Sequence, residues 1–264
     1  MNDTTIKSEE FLITEVPGQQ ATPEQMSMFY TRYRFLAEYC EGREVLEVAC
    51  GGGQGLGYLA RRAKRVIGGD IDQRIIPHVK RHYRDRENIQ VLHLDAQDLK
   101  FPDASFDTVA ILDAIYWLKD QERFVQEARR VLRPGGVLFI TTVNRHWKEF
   151  NPSSFATRYL DANDLRSMLE VASFNVEVYA AFNAKSSGMI ATVVGALRRV
   201  MVKFKLIPSS IRLKALLKSI FVGKLASIPV EVVDAMAPYD APARVMSGLE
   251  AGSHKLIYVV ARRA

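Results

Sequence analysis

The sequence predicts an α/β protein built on a mostly parallel sheet, and three features predict it. An apolar run breaks into clustered glycines between Val45 and Gly57, VLEVACGGGQGLG. Segments of strand-like and helix-like periodicity then alternate as far as Val143. Two of the strand-like runs stop at acidic residues, Asp70 and Asp95. Alternation at this pace implies right-handed βαβ units, helices on both faces of the sheet, and a ligand outside the carboxyl ends of the strands.

Taken in order, the chain opens with MNDTTIKSEEFLITEVPG, which has no basic stretch followed by a long apolar core. Residues 1–21 therefore read as a flexible leader or lid, not as a secretory signal. Thr22-Pro23-Glu24-Gln25 carries two helix-start signals, a Thr three residues before a Gln and a Pro at the first helical position. Met26, Phe29, Tyr30, Tyr33, Ala37 and Cys40 then recur at helical spacing and form one apolar face. That face covers the core, or lets Tyr30 or Tyr33 close over a bound ligand.

The first strand stops at about Ala49 and gives way to a turn through Cys50-Gly51-Gly52-Gly53, then to a helix through Tyr58, Leu59 and Ala60. Glycines there let backbone N–H groups approach a ligand closely. A second strand covers 65–69, a helix 74–83, a third strand 89–94 and a fourth 106–112. A helix over 121–132 turns Phe124, Ala128 and Val131 inward, and an Arg133-Pro134-Gly135-Gly136 turn leads into a fifth strand over 136–143. Asp161 starts a helix running to Ala172, and strands over 174–182 and 255–261 complete the pattern. The domain is thus 22–182 with 254–264, and residues 183–253 are an insert before the last strand.

The net positive excess is concentrated in that insert. The chain is net +6, with 48% hydrophobic and 25% charged residues. Between Val178 and Val230 there is no Asp or Glu, while Lys185, Arg198, Arg199, Lys203, Lys205, Arg212, Lys214, Lys218 and Lys224 supply nine positive charges, so the rest is net negative by three. A single basic patch argues against a general nucleic-acid surface. The patch reads as two basic amphipathic helices on either side of Pro208, with Leu213, Leu216, Leu217 and Ile220 on the apolar face of one. They are solvated lid helices, or they accept an anionic or lipid-linked acceptor or make peripheral contact with an acidic membrane. Two cysteines, Cys40 and Cys50, give neither a disulfide framework nor a metal-ligand spacing, which suits a reducing cytoplasm. No apolar run reaches the roughly 20 residues of a transmembrane helix.

Gly55, Gly57 and Ala60 satisfy the G-x-G-x-x-A fingerprint of nicotinamide and flavin enzymes, but they fall inside the helix after the turn. The ordered series decides otherwise. Glu47-x-Ala49-Cys50-Gly51-x-Gly53, then Asp70, Asp95-Ala96, FDTVAIL and RVLRPGGVLFI, resembles the class I S-adenosylmethionine-dependent methyltransferases over residues 43–145, most of all their small-molecule branch. The resemblance implies a Rossmann-like, seven-stranded sheet whose last strand, KLIYVVA, runs antiparallel beside FNVEVYAAF, and S-adenosyl-L-methionine as cofactor.

It further implies the site. Asp70 would take both ribose hydroxyls through its two carboxylate oxygens. Asp95 would receive the adenine amino group, the Ala96 N–H a ring nitrogen, and Ile71 would pack on the adenine. Ala49, Gly51 and Leu112 would give backbone contacts to the methionine part, with Gly53 shaping the turn, Glu47 behind it and Tyr33 closing over it. A general base, if the acceptor must lose a proton, would come from Asp113, Tyr116 or His146, just past the fourth and fifth strands. Asp113 could instead hold the cofactor's amino group. The acceptor expected is a small molecule, and NPSSFATRYL is similar to a stretch in bacterial glycan or secondary-metabolite methyltransferases, which points to a saccharide or glycoconjugate. Two other readings stand beside this one, an NAD(P)-dependent oxidoreductase and a non-catalytic S-adenosylmethionine-binding protein.

Overall fold

The computed structural model describes residues 15–184, 225–245 and 252–264. The elements in chain order are β1 (Gln20–Ala21), α1 (Pro23–Leu36), β2 (Glu44–Val48), α2 (Leu56–Ala60), β3 (Arg65–Asp70), α3 (Ile76–His82), β4 (Ile89–His93) and β5 (Phe106–Leu112). There follow α4 (Gln121–Val131), β6 (Leu132–Val143), α5 (Ala162–Val171), β7 (Phe174–Asn183), β8 (Ala226–Ser227), β9 (Ala243–Arg244) and β10 (His254–Arg263). Nine of these elements, β2, β3, α3, β4, β5, α4, α5, β7 and β10, have both ends within two residues of the sequence expectation.

One sheet holds eight strands in the order β4-β3-β2-β5-β6-β10-β7-β9. The first five pair in parallel, and β10 lies antiparallel between β6 and β7. The sheet has one strand more than the seven expected, because the two-residue β9 adds to the β7 edge at Tyr179 and Ala180. Strand alternation divides the core into two layers. Val45, Val66, Ala110, Phe139 and Tyr258 face α1, α2 and α3; Leu46, Ile67, Ile111, Ile140 and Val259 face α4 and α5. Burial on both faces is what makes the central strands read as continuous apolar runs.

Two local readings change. The Arg133–Gly136 stretch is a bulge within β6, not a turn before it: Phe106 pairs with Leu132 and Thr108 with Val137, so the tetrapeptide loops out between them. Gly135 takes φ +75 there, with open space around it. The helix α1 begins as its capping box dictates, with Gln25 N donating to Thr22 Oγ1 (3.1 Å) and Thr22 N to Gln25 Oε1 (3.0 Å). It is buried on more than its apolar face, however. Ser27 Oγ donates to Pro238 O, Ala235 N to Tyr30 OH and Asp240 N to Thr31 Oγ1, so a returning segment covers the polar side of the helix.

That segment, 225–245, is the longest described part of the expected insert; it carries the two-residue strands β8 and β9 joined by bends and a turn, with Ile228 and Val232 buried. The basic helices expected within 185–224 lie outside the described residues, as does most of the leader. Residues 15–21 are described, and Gln20–Ala21 pairs with Ala226–Ser227. Among the described residues no helix is long and apolar enough to cross a membrane.

Candidate active site at the sheet's switch point

The chain leaves β2 toward β3 and β4 on one side and returns to β5 on the other, which opens a crevice at the carboxyl ends of β2 and β5. Both strands leave through a left-handed residue, Ala49 at φ +53 and Asp113 at φ +47. A non-glycine residue in that region is uncommon, and two at neighbouring strand ends mark the edge where loops turn sharply.

The glycine turn is fixed from three sides. Gly51 and Gly53 have φ of +54 and +71. A Cβ on Gly53 would meet Val79 Cγ1 at 2.4 Å, so glycine is required there twice over. Tyr83 OH donates to Gly53 O (2.7 Å) and accepts from Gly57 N (3.2 Å). Gly51 N donates to Asp70 Oδ2 (2.9 Å), which brings two of the expected site residues into contact. Asp70 Oδ1 accepts from Asp72 N, and the carboxylate is 7% exposed, its pKa raised by burial against those two donors. The nicotinamide-type glycines have other work. A Cβ on Gly55 would lie 1.7 Å from the Tyr33 ring, and one on Gly57 would lie 2.4 Å from the Glu231 carboxylate. They allow close packing and do not cradle a pyrophosphate.

Beyond β3, Ile71 is 60% exposed although large and apolar, at a strand end between Asp70 and the Asp95 loop. Leu94 N donates to Asp70 O (3.1 Å), tying that loop to the end of β3. Asp95 Oδ1 accepts from Gln97 N and Nε2, and Ala96 is buried.

Behind the turn lies a buried polar cluster. Glu47, the fourth residue of β2, accepts from Tyr33 OH at 3.0 Å, while its Oε2 has no partner. Burial pushes this carboxyl up to about 7, against the pull of the Tyr33 hydroxyl and the Arg32 charge. Tyr33 is thus a core residue that touches the site through Glu47. Asp113 is held by Arg32 Nη1 (2.5 Å) and by Thr141 Oγ1 (3.1 Å). The other Nη of Arg32 pairs with Glu15. Burial opposes the charge on Arg32, and the two carboxylates outweigh it. Sequence periodicity missed Arg32 and Glu15. The one available signal was a cation lodged between Phe29 and Tyr33 on an otherwise apolar turn of helix.

Past β5 and β6 an aromatic wall forms. Tyr116 stacks on Tyr159 (4.7 Å between centroids, 29° between planes), with Trp117 and Phe150 against them. Burial, then the nearby Asp113, raises the Tyr116 hydroxyl. His146 bonds Asp161 Oδ2 through Nε2 at 3.0 Å. Burial of Asp161 is overcome by the Asp164 N–H, His146 and Arg145, which lower its pKa to about 2. Of the three candidate bases, Asp113 and Tyr116 lie near one another, the first paired with a guanidinium and the second in an aromatic stack, while His146 bonds the cap of α5. A groove of about 920 Å³ between α4 and α5 is lined in part by Arg145 and Asp164 but by none of the three candidate bases.

Comparison with known proteins fits this geometry. Residues 46–140 match the family described as "Methyltransferase domain". A protein of Mycolicibacterium smegmatis named as a probable S-adenosylmethionine-dependent methyltransferase is 42% identical over 151 residues, 55% of this chain and 57% of that protein. A protein of the same description from Mycobacterium tuberculosis is 39% identical over 148 residues, 54% of this chain and 52% of that protein. The chain thus spans about half the length of the curated relatives it matches. The crystal structure of a SAM-dependent methyltransferase from Thermotoga maritima superposes with a TM-score of 0.58 at 16% identity, covering 92% of each chain. Residues 46–140 are thus similar to a methyltransferase domain, and the sheet order with its antiparallel β10 is the fold of the solved methyltransferase it superposes on.

Proposed function

We propose that this chain transfers a methyl group from S-adenosylmethionine to a small-molecule acceptor. The observation that carries the reading is the contact between the Gly51 N–H and Asp70 at the switch point, which presents a glycine turn and a strand-end carboxylate as one surface. The residues fit the cofactor's chemistry. Each Asp70 oxygen accepts one backbone N–H and retains capacity for a ribose hydroxyl. Glu47 Oε2, buried and unpartnered, suits the cofactor's amino end. Exposed Ile71 offers an apolar face to the adenine, beside Asp95 and the Ala96 N–H. Ala49, Gly51 and Leu112 border the methionine end.

When bound, the cofactor supplies a sulfonium methyl open to in-line attack. The chain's part is alignment and exclusion of water. Of the three candidate bases His146 is favoured, because Asp161 engages its Nε2 and Nδ1 is the nitrogen left to take a proton, whereas Asp113 is held in an ion pair with Arg32. Tyr116, Trp117, Phe150 and Tyr159 present flat apolar rings, which suit the face of a ring-shaped acceptor. A saccharide or glycoconjugate is the acceptor class we assign, since Tyr159 belongs to NPSSFATRYL. The basic stretch 185–224 supplies charge for an anionic acceptor or for contact with an acidic membrane surface.

Formation of S-adenosylhomocysteine across a panel of saccharide, lipid and aromatic acceptors tests the reading. His146→Ala is expected to lower the rate by about 10²-fold or more while cofactor affinity holds, as for loss of a general base. Methyl transfer to no acceptor, with the cofactor still bound, would favour a non-catalytic binding protein.

A further inference from the structure

The N-terminal strap lies directly on the glycine turn. Gln54 Nε2, just past the turn, donates to Glu15 O at 2.9 Å. Val16 is 1% exposed, and a Cβ on Gly52 would stand 3.0 Å from Pro17 Cδ. The strap's carboxylate, Glu15, reaches under the turn to Arg32, whose second partner, Asp113, ends β5 beside Leu112.

The two carboxylates on Arg32 are not equivalent. Asp113 belongs to the sheet edge and is fixed by Thr141 Oγ1, which also receives its backbone N–H at 3.0 Å. Glu15 belongs to a strap tied outside the sheet edge, through Gln54 Nε2 to Glu15 O, Gly18 N to Ile228 O, Ile228 N to Gln19 O, Gln20 Nε2 to Ser227 Oγ, and the two-residue β1–β8 ladder. Its side chain is 39% exposed, whereas that of Arg32 is 4% exposed with an unpartnered Nε. A fixed, buried cation at the methionine end of the crevice is therefore shared between a permanent anion and an exchangeable one.

We infer that Glu15 is a resident stand-in for the cofactor's α-carboxylate on Arg32, and that loading the site displaces it and lifts the strap. The inference rests on the S-adenosylmethionine reading of the site. An incoming carboxylate makes the same charge-assisted pair with the guanidinium, and a third carboxylate there repels Glu15. Released from Arg32, residues 15–19 keep only the Gln54 bond to Glu15 O as a polar anchor over the turn, and their partners 226–228 loosen with them. The coupling is reciprocal: a closed strap weakens cofactor binding by the factor with which the cofactor opens the strap.

The test compares the full chain with Glu15→Gln in calorimetric titrations with S-adenosylhomocysteine and with 5′-methylthioadenosine, which lacks the amino-acid end. Hydrogen exchange is followed at residues 16–19 and 226–228. The expected result is roughly three- to tenfold tighter S-adenosylhomocysteine binding in Glu15→Gln, the scale of a partly exposed ion pair, with 5′-methylthioadenosine unchanged. S-Adenosylhomocysteine should speed exchange at both segments of the wild type, and 5′-methylthioadenosine should not. Equal or weaker binding in Glu15→Gln, a gain of the same size for both ligands, or protection of the strap by S-adenosylhomocysteine overturns the exchange alone. A wild type that binds neither ligand overturns the reading of the site, and this inference with it.

Discussion

At the scale of single residues, Glu47 is the least comfortable group in the fold. Its carboxyl is buried, with one oxygen unpartnered and its pKa raised from 4.5 to about 7. A raised carboxyl pKa means that the folded chain holds a proton the unfolded chain gives up. Stability from this group is fully present below about 4.5 and is lost as pH rises through 7. Between pH 5 and 8 the loss is on the order of 2 kcal/mol by linkage. Glu47→Gln, which keeps a partner for Tyr33 OH, is expected to flatten that decline; urea unfolding of both proteins at the two pH values measures it, and parallel declines would assign the proton elsewhere. At this scale the sequence was legible wherever chemistry and chain position coincide. Gly51, Gly53 and Asp70 sit at strand ends, and a strand end is visible as the close of an apolar run. Arg32 and Glu15 were not legible, because their meeting with Asp113 joins residues 17 and 81 positions apart across three separate elements.

At the scale of elements, α1 and the short α2 decide how the crevice is closed from behind. Gly55 sets their approach, since only a residue without a Cβ leaves room for the Tyr33 ring. Gly55→Ala is expected to cost about 1–3 kcal/mol, as for an overpacked core site, and to move Tyr33 off Glu47. Chemical denaturation gives the first number, and an unchanged midpoint would show that the contact relaxes freely. The periodicity of α1 identified its apolar face correctly, with Met26, Phe29, Tyr33 and Ala37 all buried. It could not show that Ser27 and Thr31, on the polar side, are buried too, because their partners Pro238 and Asp240 lie about 200 residues away. The Arg133–Gly136 bulge was misread for a related reason: Pro-Gly-Gly carries turn chemistry whether the chain reverses or loops out of a strand.

At the scale of the molecule, the strand order places every expected cofactor contact except Tyr33, which lies on α1, along one edge. Glu47 and Ala49 close β2, Asp70 and Ile71 close β3, Asp95 and Ala96 follow β4, and Leu112 closes β5. The parallel sheet was readable because alternating βαβ units leave few topologies open, and the antiparallel place of β10 beside β7 followed from the family resemblance. The return of 225–245 over α1 and its ladder with 20–21 were not readable, since two-residue strands carry no periodicity. The central claim is that this edge holds S-adenosylmethionine through Asp70. Isothermal titration of wild type and Asp70→Ala with S-adenosylhomocysteine and with NADH tests it most directly. The account predicts saturable one-site binding of S-adenosylhomocysteine, weakened in Asp70→Ala by roughly 1.5–3 kcal/mol as for a lost charge-assisted hydrogen bond, and no saturable heat with NADH. Saturable NADH binding, or S-adenosylhomocysteine affinity indifferent to Asp70, would contradict it.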